Sequence, residues 1–294
     1  YKEKISLFSN SLMKKKFSSI AGVTLIEILI GLIISVIMMG AMYTSYSVVN
    51  STYSQITDKA KISQSGRDII GMLMRDVRMG GYKYFNDNIK TDSVNHAPLV
   101  ITKRSGAATP VDCDKLEIVY GSVDYDKNKA VDKRYTHTKY KITYQCKPST
   151  IIDKAVAGGK TKIQAFAIYK SKQKWDASGT GSWADPSTDG NDKTYPDQKI
   201  IDYVQDLVFH ATDENGRIIS PPPNPSKNHN VDKLYSIKTI DIALTMRSKN
   251  NFFKSSKSRT THALSDTGRN ITKTDKYLRD TITVSAHARN LGLQ

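Results

Sequence analysis

Glu27 is the only charged side chain between Phe17 and Thr57, and it lies in a long apolar run. A carboxylate in a bilayer carries a cost of about 3 kcal/mol and by default marks function. In a low dielectric it would attract an ammonium group strongly, and either charge left alone would be penalised. Its place near the start of the run would also let Glu27 reach the cytoplasmic interface without a special role. Two interpretations of Glu27 therefore stay open, an ion-pairing group and an interfacial side chain.

Catalytic motifs are absent from the sequence. It contains no H-E-x-x-H, G-x-S-x-G, Walker or G-x-G-x-x-G pattern, and its six histidines show no metal-ligand spacing. We therefore expect neither an enzyme nor a cofactor. Asp185, Asp189 and Asp192 lie in one polar segment and could bind calcium, but without EF-hand spacing a solvated loop is the simpler interpretation.

The chain has two cysteines, Cys113 and Cys146, with none left over. A single pair is typical of one disulfide in an oxidising compartment, and two buried free thiols are the alternative. Cys113 precedes one predicted strand and Cys146 ends another, so that a bridge between neighbouring strands is geometrically reasonable. We predict the bridge.

The segment that carries Glu27 is long enough to cross a membrane. Residues 23–43 would form about 31 Å of helix, which matches the hydrocarbon thickness of a bilayer. Lys14, Lys15 and Lys16 precede the segment, and positive charge stays on the cytoplasmic side. No A-x-A-like cleavage site follows, so we expect this segment to be retained and the chain after it to leave the cytoplasm.

An amphipathic helical pattern follows the membrane segment and continues up to a pair of glycines. Its apolar residues recur three and four positions apart at Tyr46, Val49, Tyr53, Ile56 and Ala60, and the pattern resumes at Ile70, Leu73 and Val77. We predict one helix over 23–79, with the half 44–80 held against a soluble domain. The weak helix formers at 44–57 and at Gly66 predict local fraying.

Beyond Gly81 the apolar period changes from helical to two, which is typical of strands. Six segments are predicted as strands: 114–121, 135–146, 163–170, 201–216, 238–248 and 280–290. Their alternation predicts an antiparallel sheet in residues 81–294, with one face packed against the helix. The polar stretches 172–199, 221–230 and 254–276 are predicted as surface loops. The fold class is therefore α+β, a long N-terminal membrane-spanning helix packed on a C-terminal antiparallel sheet.

The segment KKKFSSIAGVTLIE resembles the class III signal of type IV pilins and pseudopilins, which has a short basic leader, a glycine, and a hydrophobic stretch with glutamate as its fifth mature residue. The resemblance implies that a prepilin peptidase cuts between Gly22 and Val23 and methylates the new amino terminus. Phenylalanine is the usual first mature residue, and valine stands there in this chain. The resemblance also implies that Glu27 offers its charge to the amino terminus of a neighbouring subunit.

In this interpretation residues 1–22 are the leader. A start at Met13 would give a leader of ordinary pilin length, so we expect residues 1–12 to be an upstream extension. The stretch ISQSGRDIIGMLMRDVRMGGY is similar to the helix end of PilW-type minor pilins, and YVQDLVF, LTMRS and ITVSAHARN resemble the tail of that family. The residues that match at the helix end are Arg75, Asp76, Arg78, Gly81 and Tyr82.

The resemblance implies a minor pilin that helps to initiate a type IV pilus, in a tip or priming complex. Its partners would be other minor and major pilins, prepilin peptidase, the inner-membrane assembly platform and the lipid bilayer. Its head would be periplasmic before assembly and lie in the pilus at the cell surface afterwards. A minor pseudopilin of a type II secretion system shares nearly every N-terminal feature and is the alternative.

A third possibility follows from the charge, which is +16 for the chain. Residues 1–22 contribute five Lys and one Glu, so the remainder carries +12. Such a surface permits nucleic acid as a partner, in a DNA-binding or adhesive module at the pilus tip. Because the lysines are dispersed, a basic solvated face is the simpler interpretation. A signal-anchored periplasmic protein with none of these roles is the plainest alternative.

Overall fold

The computed structural model describes residues 22–82, 96–104, 113–153, 161–178, 181–190, 193–264 and 269–291, so most of the predicted leader lies outside the described residues. These ranges contain one α-helix, α1 (Leu25–Met79), and ten strands. The strands are β1 (Leu99–Thr102), β2 (Lys115–Tyr125), β3 (Tyr135–Pro148), β4 (Phe166–Asp176), β5 (Ser182–Trp183), β6 (Tyr195–Thr212), β7 (Thr239–Arg247), β8 (Lys257–Thr261), β9 (Ile271–Asp275) and β10 (Arg279–His287). The predicted α+β class is confirmed. The chain divides into two compact units, Tyr1–Tyr53 and Ser54–Gln294.

The helix α1 is continuous through residues 44–57, where fraying was predicted. The hydroxyls of Ser35, Thr44 and Ser51 donate hydrogen bonds of 2.7, 2.8 and 2.9 Å to carbonyl oxygens three or four residues earlier. These bonds satisfy the side chains within the helix itself. The prediction of fraying was therefore wrong.

The buried face of α1 begins later than the periodicity predicted. Its buried apolar side chains are Ile62, Ile69, Ile70, Leu73 and Val77, all in the core cluster that the sheet residues form. Tyr46, Val49, Tyr53 and Ile56 are between 63% and 71% exposed. Periodicity identifies an apolar face without identifying what covers it. For the isolated chain, the prediction that residues 46–56 are held against the soluble domain was therefore wrong.

Two glycines adjust the C-terminal part of α1 to its surroundings. A Cβ at Gly66 would lie 2.4 Å from Cδ1 of Ile282 on β10, so glycine here permits a close approach of helix and sheet. Gly81 has a φ of +72°, which favours glycine, and it follows the last helical turn as a C-terminal cap does. Gly66 is thus a packing point in an unbroken helix.

Eight strands form one antiparallel sheet in the order β1-β2-β3-β4-β6-β7-β10, with β5 paired to β4. The remaining two, β8 and β9, pair with each other as a hairpin. That hairpin lies in segment 254–276, which was predicted to be loop, and both ends of the predicted loop 172–199 are strand. A search for alternating apolar residues does not find the hairpin, because its strands carry Lys, Arg, Ser and Thr. Polar contacts join the two strands, such as the one between Thr260 Oγ1 and Thr272 Oγ1 at 2.8 Å.

The sheet is covered on more than one face, which the predicted single buried face did not anticipate. The second half of β6 and most of β7 are buried at consecutive positions. On β1, Leu99 and Ile101 belong to the main core, whereas Val100 packs in a second cluster with Ala97 and Leu234. The connection between β6 and β7, which includes the predicted loop 221–230, therefore contributes buried residues of its own.

Candidate functional site

The first candidate site is the start of α1, where Thr24 and Glu27 bond to each other. Oε2 of Glu27 accepts hydrogen bonds from the backbone N–H of Thr24 at 3.0 Å and from its hydroxyl at 3.1 Å. In return, the backbone N–H of Glu27 donates to Oγ1 of Thr24 at 3.3 Å. This reciprocal arrangement is a capping box, and the T-x-x-E pattern in the sequence was the signal that predicts it. Reasoning from charge and membrane cost overlooked it.

The capping box fixes the carboxylate at the N-terminal end of α1. An acidic group is favoured there because the first N–H groups of a helix give that end a partial positive charge. Both bonds from Thr24 end on Oε2, and no group of the described residues donates to Oε1 of Glu27. Oε2 of Glu27 thus caps the helix, and Oε1 can accept a hydrogen bond from another molecule.

The described residues of the first unit, 22–53, present an apolar surface. The described residues up to Tyr53 are exposed, and they include sixteen Leu, Ile, Val and Met side chains. By length and composition α1 could cross a membrane. Exposed apolar surface of this extent is unfavourable in water and marks contact with lipid or with another protein.

Gly22 and Val23 directly precede α1. A Cβ built on Gly22 would meet no atom within 4 Å, and its φ lies outside the left-handed range. Val23 is exposed. Nothing in the described part of the fold therefore requires glycine at position 22, and cleavage at this bond stays a prediction.

The predicted disulfide between Cys113 and Cys146 is present, with a Cα–Cα distance of 5.6 Å. Cys113 lies just before β2 and Cys146 lies in β3, and these neighbouring strands pair Leu116 with Tyr144. The bridge thus joins the start of one strand to the end of the next.

The three aspartates considered for calcium are engaged or lie outside the described residues. Asp185 accepts hydrogen bonds from the backbone and hydroxyl of Ser187, and these bonds lower the pKa of its carboxyl. Both carboxylate oxygens of Asp189 lie 2.8 Å from the hydroxyl of Thr194. Asp192 is not among the described residues. Within the ranges described, no three His, Cys, Asp or Glu side chains are grouped as a metal site would need, and calcium binding stays an untested alternative to the predicted solvated loop.

A buried ion pair attaches α1 to the sheet. Lys170 of β4 lies 2.6 Å from Oδ2 of Asp76, and the hydroxyl of Tyr144 donates to the same oxygen at 2.5 Å. Burial, with Asp76 nearby, raises the pKa of Tyr144, which keeps its hydroxyl protonated as a donor. The sequence identified Asp76 only as a family residue, since nothing in it indicated the two partners.

A second buried network joins the sheet to the segment before β9. Arg269 donates to Asp206 at 3.0 and 2.5 Å and to Asp114 at 2.9 Å, and all three side chains are buried. Burial raises the pKa of Asp206, and the Arg269 charge opposes that rise. Lys103 adds a bond to Asp114 at 3.1 Å. Both networks are structural, because their polar atoms are bonded to one another.

Several lysines of β3 and β4 lie over aromatic rings. Lys172 Nζ is 4.3 Å from the ring centre of Tyr140, and Lys141 Nζ is 4.9 Å from that of Trp183. Burial lowers the pKa of both lysines. These charges serve contacts within the chain, and nucleic-acid binding stays a prediction.

No protein-family model matches the chain, and no curated protein matches it. Among solved structures, the type IV-like pilin TTHA1219 from Thermus thermophilus is similar to it, with a TM-score of 0.44 and 9% sequence identity. The match covers 78% of this chain and 96% of that one. The fold assignment therefore rests on the helix and the sheet themselves.

Proposed function

We propose that this chain is a minor pilin of the PilW type, which takes part in initiating a type IV pilus. It enters the inner membrane through the first half of α1, with the head in the periplasm. Prepilin peptidase removes the leader after Gly22 and methylates Val23. The subunit then joins other minor and major pilins through the assembly platform and reaches the cell surface in the pilus.

The observation that carries the proposal is the setting of Glu27, the only charged residue between Phe17 and Thr57, in the part of α1 whose apolar side chains are exposed. A charge in such surroundings favours a partner of opposite charge, since an unpaired one is penalised in low dielectric. Cleavage before Val23 would create an α-amine on every copy of the chain. The amine of a neighbouring copy is therefore a suitable partner for Glu27.

The capping box supports this proposal in a specific way. The bonds from Thr24 hold the carboxylate at the helix start, so less side-chain entropy is lost when a second subunit arrives. The oxygen Oε1 can then accept from the incoming amine. The isolated chain therefore already holds the Glu27 carboxylate in the conformation that would pair with the amine.

Gly22 supports the processing step. Its surroundings in the fold would accept a side chain, so packing and backbone conformation do not explain the residue. A protease subsite without room for a Cβ would explain it.

The test separates the charge of Glu27 from its capping role. Glu27→Gln keeps a carbonyl oxygen that can accept from Thr24 but removes the charge, whereas Thr24→Ala removes the hydroxyl and keeps the charge. Glu27→Gln is expected to lower the number of surface pili about tenfold or more, because the loss of 1.4 kcal/mol already changes an association tenfold. Thr24→Ala is expected to have a much smaller effect. Surface pili are counted by electron microscopy, at membrane levels of the protein matched by immunoblot.

Normal piliation in cells that carry Glu27→Gln would contradict the pairing. An equal loss in both variants would assign the defect to the helix cap. If pili were unchanged while type II secretion failed, the chain would be a pseudopilin. Secretion is therefore measured in the same strains.

A further inference from the structure

Arg247, the last residue of β7, is buried without a hydrogen bond. It is 4% exposed, and its Nε has no hydrogen-bond partner among the described residues. Its Cζ lies 4.0 Å from the ring centre of Tyr277, so one face of the guanidinium rests on the phenol ring. Burial lowers the pKa of Arg247 and the charge of Arg279 acts in the same direction, whereas Tyr277, Asp153 and Asp275 oppose the shift. A buried charged group in this condition is costly unless something pairs with it.

Arg279, which neighbours Arg247, forms hydrogen bonds with a carboxylate. Arg279 stands opposite Arg247 in the pairing of β7 with β10. It donates two hydrogen bonds to the carboxylate of Asp275, at 2.9 and 2.6 Å, and a third to Gln205 at 3.1 Å. The carboxylate of Asp275 is therefore already held by one arginine, while Arg247 stacks on Tyr277, has no hydrogen-bond partner at Nε among the described residues, and is attracted by the charges of Asp153 and Asp275.

Arg247 lines a cavity together with Tyr203, Lys249, Asn251 and Tyr277. Lys249 is exposed and adds a second positive charge. Tyr203 has a φ of 66°, a backbone conformation that tyrosine rarely adopts, and it lies beside an irregularity in the pairing of β6 with β7. The cavity is thus lined by several parts of the chain, at residues 151–153, 163, 203, 247, 249–251 and 277.

We propose that this cavity binds a carboxylate. Arginine presents a planar fork of N–H groups that matches the two oxygens of a carboxylate, and stacking on Tyr277 leaves the edge of that fork free to donate. Lys249 adds attraction at the opening. Asp153 also lines the cavity, and its negative charge disfavours ligands with two or more charges, such as phosphate. The ligand is either a free carboxylate or one carried on a peptide, and the site does not depend on the proposed role in pili.

The experiment measures binding of two probes to the full-length chain in detergent by saturation-transfer NMR. Sodium acetate represents a free carboxylate, and an amidated tripeptide with one aspartate represents a protein-borne one. The reference is sodium chloride at the same ionic strength. At least one probe is expected to bind the unmodified protein. Its dissociation constant should rise about tenfold or more in Arg247→Gln, because a charge-assisted bond contributes about 1.5–3 kcal/mol.

Arg289→Gln is the matched control, since it removes the same charge from an exposed position and should leave the affinity unchanged. Lys249→Gln, at the exposed opening, should weaken binding about threefold. If Arg247→Gln fails to fold, the affinity of Lys249→Gln for the probe is the test of the site. Whichever probe binds more tightly identifies the source of the carboxylate. Absence of binding by both probes, phosphate binding as tight as acetate, or unchanged affinity in Arg247→Gln or in the folded Lys249→Gln would overturn the proposal.

Discussion

Two acidic residues of α1, Glu27 and Asp76, have different settings and different roles. Glu27 is exposed, and among the described residues it bonds only to Thr24, three residues before it. Asp76 is 2% exposed and is paired with Lys170 and Tyr144 of the sheet. Asp76, which is paired within the chain, stabilises the fold. Glu27, whose Oε1 has no donor among the described residues, is suited to pair with another subunit.

Asp76→Asn is expected to destabilise the head by about 3 kcal/mol or more, because it leaves the buried ammonium of Lys170 without a counter-charge. The measurement is unfolding of the full-length chain by guanidinium chloride in detergent, followed by fluorescence of Trp175 and Trp183. Asp68→Asn is the control on the same helix, since Asp68 is exposed, and it should change stability by no more than about 0.5 kcal/mol. Equal stability of the two variants would show that the ion pair does not hold the helix to the sheet.

The sequence predicted Glu27 as a site residue because a lone charge in an apolar run is visible without a structure. It identified Asp76 only through the resemblance at the helix end. The partners of Asp76 could not be predicted, since β4 meets the helix only through tertiary packing. The sequence also could not predict that Arg247 is buried, or that the neighbouring Arg279 pairs with Asp275.

The helix and the disulfide-linked strand pair are the elements that the sequence specified most directly. An unbroken helical period defined α1 to its last residue, and two cysteines allow one intramolecular bridge. The hairpin of β8 and β9 was missed because an exposed two-stranded element needs no apolar alternation. What covers an apolar face was not predictable either, as the exposed Tyr46 and Tyr53 demonstrate.

Removal of the bridge tests its contribution to the head. Replacement of Cys113 and Cys146 by alanine together should lower the free energy of unfolding by about 3–4 kcal/mol, from the closure of a 33-residue separation in the unfolded chain. Because the chain has no other cysteine, dithiothreitol should reproduce this loss in the natural protein and have no effect on the double variant. Equal stability of the natural protein with and without reductant would contradict the expected contribution.

The whole chain combines an exposed apolar helical segment with a head that has its own core. The apolar segment would be unfavourable in water, so contact with lipid or with another protein would stabilise it. The described head residues contain paired buried charges and a disulfide, which suit a domain that folds outside the cytoplasm. Transfer from lipid to filament is the step in which the charge of Glu27 would select a protein neighbour.

The proposed partner of Glu27 exists only if the leader is removed. Mass spectrometry of the protein isolated from the cells that make it therefore tests the proposal most directly. We predict an N-terminal peptide that begins at Val23 and carries one added methyl group. A peptide in which residues 14–22 are still attached would contradict it, because no α-amine would then exist beside the helix start to meet the carboxylate of Glu27.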